Sequence, residues 1–154
     1  MEKYEEKVKK ELEDLTNTQR LLFGACCIDR ILHLIAGFDN FLQENHIKRI
    51  TKEPYLSLCT DWLDSIFLYV NINKDISSDE IEKTLNTLNK IIPDTEEFPD
   101  NVAIFTQNSM IGLSYLYEFI NKNELIFITN CSDKVIETID VMYYETDYER
   151  LDIH

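Results

Sequence analysis

Apolar residues recur three and four positions apart along almost the whole chain, and this spacing constrains the fold more than any other feature. It is the periodicity of α-helices that bury one face. Only three glycines and three prolines occur among the 154 residues, too few for the many corners of a β-sandwich. A chain of this length forms one ordinary domain. The sequence therefore predicts an all-α fold, a single-domain bundle of about six to seven helices that spans residues 1–154.

The predicted helices differ in how much of their surface is apolar. The segment 18–36 is apolar nearly all round, which is typical of a helix at the centre of a bundle. Gly24 permits a close helix contact there, and Gly37 is expected to break or kink the chain. A strand over 126–129 stays open as an alternative to helix, and residues 145–154 are expected to form a short helix or a frayed tail. The other helices are expected over 2–14, 53–70 with Pro54 as the first helical residue, 77–92 behind a Ser77–Glu80 capping box, 101–121 and 124–144.

The net charge constrains the class of partner. The chain carries 29 acidic and 15 basic residues, which gives a formal net charge of -14. Phosphate backbones and anionic membranes repel such a chain, so neither nucleic acid nor a membrane is an expected partner. The same charge favours association with a basic protein and makes it sensitive to salt, although acidity also serves solubility alone.

The N-terminus and the cysteines indicate the compartment. The N-terminus lacks the basic start and apolar stretch of a signal peptide, and no apolar run approaches the roughly 20 residues of a membrane span. The four cysteines form no Cys-x-x-Cys pair and stand beside apolar residues, which predicts reduced thiols in the core. We therefore expect a cytoplasmic protein. The cysteines are Cys26, Cys27, Cys59 and Cys131.

Motifs for catalysis or cofactor binding do not stand out. Cys26, Asp29, Arg30 and His33 share one side of a helix, but Cys26 and His33 are about 10 Å apart along its axis, too far for a nucleophile and its base. A structural role for Asp29 and Arg30, which would tie helix ends or neighbours through hydrogen bonds, is favoured instead. The histidines have no metal-binding spacing, and neither a Gly-rich phosphate loop nor a Gly-x-Ser-x-Gly elbow occurs. No catalytic residue, metal or cofactor is therefore predicted.

Negative charge is concentrated in the C-terminal part, where twelve acidic and only two basic residues lie between positions 94 and 149. Within it, residues at steps of 4, 3, 4 and 3 would form one face of a helix, opposite Val135, Ile139 and Met142. Tyrosines interleave with these carboxylates, a mixture typical of an interface with an Arg- or Lys-rich partner. A solvated face with packed tyrosines is the alternative. This acidic stripe consists of Asp133, Glu137, Asp140, Tyr144 and Asp147, and Glu96, Glu97 and Asp100 form an additional acidic patch.

The second helix carries a family resemblance. The signature Phe-x-Ala-Cys-x-x-Glu-Arg is matched at Phe23, Ala25, Cys26 and Arg30. Its Glu is replaced by Asp29. This pattern resembles the YjaG-like family, all-helical bacterial proteins of unknown function. The likeness extends over about residues 10–150 and includes Trp62-Leu63, the turn at 92–98 and the helix at 102–121. The chain departs from the family at His33, where the family often has Pro. It also departs in the helix at 102–121, which is rich in Phe, Met and Tyr where the family helix is rich in Ala. The resemblance implies an all-helical fold and no known catalytic residues.

Two main hypotheses for the function follow. The first is a cytoplasmic immunity or inhibitor protein that neutralises a basic toxin, such as a nuclease, by covering its active site with the acidic stripe and patch. The second is a YjaG-like protein with a small-ligand or enzymatic pocket at the Cys26/Asp29/Arg30/His33 helix. A homodimer without another partner is a third possibility.

Overall fold

The computed structural model describes residues 2–98 and 100–152, with side chains described for 5–98 and 100–144. The described residues form helices and no strands, which confirms the predicted all-α bundle. Residues 126–129, for which a strand stayed open, are helical. The helices are α1 (Glu2–Glu13), α2 (Asn17–Ile31), α3 (Ile35–Glu44), α4 (Tyr55–Ile72), α5 (Ser78–Ile91), α6 (Asn101–Lys122) and α7 (Leu125–Asp152), with one 3₁₀ turn at Leu32–Leu34 between α2 and α3.

The centre of the bundle is the contact among α2, α6 and α7. Helices α6 and α7 form an antiparallel hairpin, because only Asn123 and Glu124 separate them. Gly24 of α2 lies against this hairpin so closely that a Cβ there would come 2.5 Å from Leu116 Cδ2 and 3.3 Å from Ile128 Cδ1. The expectation that α2 is central and that Gly24 permits a close contact is confirmed.

Helices α3, α4 and α5 enclose the other side of α6 and are held by side-chain caps and hydrogen bonds. Ser77 Oγ accepts the backbone N–H of Glu80 at the start of α5, which is one of the two hydrogen bonds of the predicted capping box. Tyr117 of α6 is buried, and its hydroxyl donates to the carbonyl oxygen of Trp62 in α4 at 2.7 Å. These contacts fix the start of α5 and join α6 to α4.

Helix α4 begins differently from the prediction. Pro54 is the residue before the helix and not its first helical residue. The buried carboxylate of Asp39 in α3 caps α4 instead: Oδ1 accepts the N–H of Tyr55 and Oδ2 accepts the N–H of Leu56, both at 2.9 Å. The cap comes from another helix because proline has no side-chain acceptor for these donors.

Two other boundaries also differ from the sequence prediction. The chain bends at the 3₁₀ turn Leu32–Leu34, and Gly37 lies inside α3, where a Cβ would come 3.1 Å from Val102 Cγ1. Gly37 therefore permits close packing and does not break the helix. Helix α7 does not end near 144 but continues to Asp152, because no glycine or proline interrupts its sequence.

One segment is long and apolar enough to cross a membrane by length and composition, contrary to expectation. It is Asn17–Glu44, whose most apolar window has a mean hydropathy of 1.7. In the bundle 44 % of that window is buried against other helices. The central helix of a water-soluble bundle satisfies the same criterion, because it is apolar on nearly every face.

Candidate partner-binding surface

The acidic stripe lies on one uninterrupted helix, because α7 is continuous from Leu125 to Asp152. The face of α7 that contains Ile128, Cys131, Val135 and Thr138 is buried in the core. Asp133, Glu137, Asp140 and Tyr144 are about half a helical turn away from that face and therefore point outward. Glu137, Asp140 and Tyr144 are exposed, and Asp133 is half-buried. The backbone of Asp147 continues the helix, but its side chain lies outside the described part of the chain.

Tyrosines add apolar area to the exposed part of the stripe. Tyr143 is 68 % and Tyr144 is 72 % exposed, and Met142 beside them is also exposed. Rings that present an apolar body and a polar tip next to carboxylates are common in protein interfaces. The side chain of Tyr148 lies outside the described residues.

Helix α1 packs across the N-terminal half of α7 and converts the beginning of the stripe into a cleft. The cleft has a volume of about 480 Å³. Glu5, Glu6 and Lys9 of α1 line it together with Asp133 of α7, so carboxylates outnumber ammonium groups there. Val8, Ile126 and Ile136 supply apolar walls. Glu5 and Glu6 were not among the predicted site residues, because nothing in the spacing within α1 indicates that it lies on α7.

Arg20 fixes the position of α1. Its Nε donates to the carbonyl oxygen of Leu12 at 2.8 Å, and Nη2 donates to that of Glu13 at 2.9 Å. The guanidinium thereby satisfies the Glu13 carbonyl group at the end of α1 and adds a second donor to the Leu12 carbonyl, which also accepts the N–H of Leu15 at 3.1 Å. It joins the last turn of α1 to α2, so the cleft wall is tied to the central helix.

The cleft changes the acidity of Asp133. Partial burial, which disfavours the charged carboxylate, raises its pKa most, and the negative charges of Glu5 and Glu137 raise it further. Lys134 acts in the opposite direction; its ammonium lies 3.3 Å from Glu137 Oε2. A positive charge in the cleft would relieve both the burial cost and the repulsion between carboxylates.

The additional acidic patch lies in the turn between α5 and α6, and its side chains Glu96, Glu97 and Asp100 are exposed. Asp100 caps α6, with Oδ1 accepting the N–H of Val102 at 3.4 Å. Asn108 of α6 donates to Thr138 of α7 at 3.2 Å, which marks the register of the antiparallel hairpin. By that register the turn lies at the end of the bundle toward which the last turns of α7 run.

The second predicted site differs from expectation. Cys26, Asp29, Arg30 and His33 are all exposed on the outer face of α2 and the following turn. Asp29 and Arg30 therefore do not tie buried helix ends, because both lie beyond the packed face of α2. Two cavities, of about 890 Å³ and 480 Å³, lie elsewhere, the first between α3 and α4 and the second between α1 and α7. Within the described residues, no group of three or more His, Cys, Asp or Glu side chains could hold a metal ion.

The cysteines are free thiols, but they are not all in the core. Cys59 and Cys131 are buried, Cys27 is half-buried, and Cys26 is exposed, so the prediction of a core position is wrong for Cys26. Burial raises the pKa of Cys27 to about 11 and that of Cys59 to about 12. Burial also raises the pKa of Cys131. These three thiols are poor nucleophiles, because the thiolate is the reactive form.

No protein-family model, no curated protein and no solved structure matches this chain. The resemblance to the YjaG-like family stays a prediction that rests on the residues quoted above.

Proposed function

We propose that this protein is a cytoplasmic, acidic protein-binding module that acts as an immunity or inhibitor protein against a basic toxin, such as a nuclease. It would cover the active site of the toxin with the acidic stripe and the cleft beside it. The observation that carries the proposal is the exposed run of carboxylates and tyrosines along α7, which ends in a cleft lined by three carboxylates, one lysine (Lys9) and apolar walls.

The chemistry of the cleft fits a basic side chain of the partner. Lysine and arginine have long apolar stems and charged heads. The stem would contact Val8, Ile126 and Ile136, while the head would lie between Glu5 and Asp133. The raised pKa of Asp133 supports this fit. A cation beside Asp133 would stabilise the charged carboxylate, which partial burial and the neighbouring carboxylates disfavour.

The exposed half of the stripe favours a basic protein over a second copy of this chain. A twofold dimer would place equal surfaces against each other, and so oppose Glu137 and Asp140 of one copy to the same carboxylates of the other. Like charges that meet in an interface cost several kcal/mol. A cationic enzyme that binds an anionic substrate has the complementary surface.

The test uses three tagged forms of the protein as affinity baits in a lysate of the native host. The first is the wild type, and the second carries Asp133→Lys, Glu137→Lys and Asp140→Lys. The third is a charge-matched control with Asp64→Lys, Asp75→Lys and Glu82→Lys, all exposed positions away from α7. Bound proteins are identified by mass spectrometry after washes at low and high salt.

We expect the wild type and the control to retain one basic protein in stoichiometric amount, and the stripe variant to lose it. The loss should be larger at low salt than at high salt, because salt screens exposed charges. The purified partner is then assayed for nuclease or other toxic activity with and without the protein. Equal retention by all three forms, or no partner in any of them, would contradict the proposal.

A further inference from the structure

A second surface of the molecule has the opposite charge. A cavity of about 890 Å³ lies between α3, the loop 45–54 and the start of α4. Three of the chain's 15 basic residues line it, namely Lys48, Arg49 and Lys52. The chain as a whole has a net charge of -14 and repels anions, but the positive charges gathered at this cavity attract them locally.

The one carboxylate in the cavity wall is already engaged. Asp39 lines the cavity, but its two oxygens accept the N–H groups of Tyr55 and Leu56. The same bonds occupy the first donors of α4, so the start of the helix is not the anion-binding element. The basic side chains of the loop are left to provide the positive charge.

Arg49 has an unsatisfied donor at this place. Its Nε is buried, and no hydrogen-bond partner for it exists among the described residues. A buried donor without an acceptor is costly, and the cost is higher on a charged group. Because Nε has almost no solvent-accessible area, an anion in the cavity would satisfy this donor only after a turn of the Arg49 side chain, which already lines the cavity.

The backbone that presents the basic residues is held in place before any ligand binds. At the end of α3 the N–H of Ile47 donates to the carbonyl oxygen of Leu42 at 2.8 Å, with His46 in the left-handed conformation. On the other side, the N–H of Ile50 donates to the Tyr55 hydroxyl at 3.0 Å. A site whose frame is already ordered loses less entropy when it binds.

We propose that this cavity binds a phosphorylated small molecule. The phosphate dianion would accept hydrogen bonds from Arg49 and the two lysines. Guanidinium groups commonly recognise phosphate in this way, and lysine adds a compact positive charge. Ile47 and Ile50 are exposed, Ile50 to 67 %, and Leu56 lies beside them, so the cavity also offers contact to an apolar body of the ligand. The volume lies within the range of small-molecule sites. This inference is independent of the proposed function, since it involves no residue of α1 or α7.

The test follows the backbone amide resonances of the whole protein by NMR during titration with inorganic phosphate and with phenyl phosphate. Chloride replaces the anion at equal ionic strength in the reference titration. We compare the wild type with Arg49→Gln, and with Lys74→Gln as a control of equal charge change at an exposed lysine outside the cavity. Thermal unfolding of each variant confirms that it is folded.

We expect saturable shifts confined to amides of residues 39–57, with phenyl phosphate the tighter ligand. Arg49→Gln should weaken binding by about tenfold, because a charge-assisted hydrogen bond is lost, whereas Lys74→Gln should bind like the wild type. Shifts that do not saturate, that spread over the whole surface, or that are equal in wild type and Arg49→Gln would overturn the proposal. Equal affinity for the two anions would overturn the contact to an apolar body.

Discussion

Asp133 is the residue at which the acidic stripe meets the body of the bundle. Its carboxylate is half-buried under α1 and faces Glu5 and Glu137. Because its pKa is raised, the folded protein holds a proton there at a pH at which the unfolded chain has released it. Ionisation of Asp133 therefore lowers stability as the pH rises from about 3.9, the ordinary pKa of aspartate, through the raised value in the folded protein.

We predict that Asp133→Asn is more stable than the wild type at pH 7 and loses this advantage below about pH 3.9, where aspartate is protonated in both states. Urea unfolding at pH 7 and pH 3 measures the difference. Asp140→Asn, on the exposed part of the stripe, is the matched control and should change stability little at either pH. A less stable Asp133→Asn protein at pH 7 would show that the carboxylate is not penalised in the cleft.

At the scale of the helices, the contact among α2, α6 and α7 depends on the absence of two side chains. A Cβ at Gly112 of α6 would collide with Ile28 Cδ1, and one at Gly24 would collide with Leu116 Cδ2. Ile28 and Leu116 are fully buried, so neither can move without displacing its neighbours. The helices approach closely because these positions carry no side chain.

We predict that Gly112→Ala destabilises the protein by about 1 kcal/mol or more, although alanine is the better helix former. The free-energy cost of overpacking the core should exceed the free energy gained from the higher helix propensity of alanine. Gly37→Ala is the comparison, because its new Cβ would meet only the half-buried Val102 at 3.1 Å; it should destabilise the protein less than Gly112→Ala does. Chemical denaturation measures both variants, and a Gly112→Ala protein as stable as Gly37→Ala would refute the explanation.

At the scale of the whole molecule, repulsion dominates the electrostatics of the folded state. The net charge is -14, and the described side chains form two ion pairs, Glu118–Lys122 and Lys134–Glu137, each within one helix. Exposed pairs of this kind contribute little to stability. The bundle is therefore held by its apolar core against the repulsion of its own surface.

We predict that added sodium chloride raises the melting temperature of the wild type by about 2–4 °C between low and physiological ionic strength. A variant with Glu137→Gln, Asp140→Asn and Glu96→Gln should show a smaller rise, because less repulsion is left to screen. Differential scanning calorimetry at several salt concentrations measures both proteins. A melting temperature that is constant or falls with salt would contradict this account.

Local patterns predicted much of this fold, and long-range contacts account for the rest. The apolar spacing identified the helices. The close contact at Gly24 and the cap by the Ser77 side chain could be predicted because they depend on the helix face or on neighbours in sequence. The cap that Asp39 provides for α4 spans 16 residues, and the position of α1 on α7 joins the two ends of the chain. No periodicity within one helix contains that information, so Glu5, Glu6 and the basic cavity were not predicted.

The exposure of Cys26 gives the molecule a natural attachment point. It lies two residues after Gly24, so its side chain leaves α2 on the side opposite the packed face, and the other three thiols are shielded by burial. A maleimide at neutral pH would modify this position first, without any engineered cysteine. The protein can thus be immobilised or fluorescently labelled at one point on α2, a helix that contributes no residue to the acidic stripe or to the basic cavity.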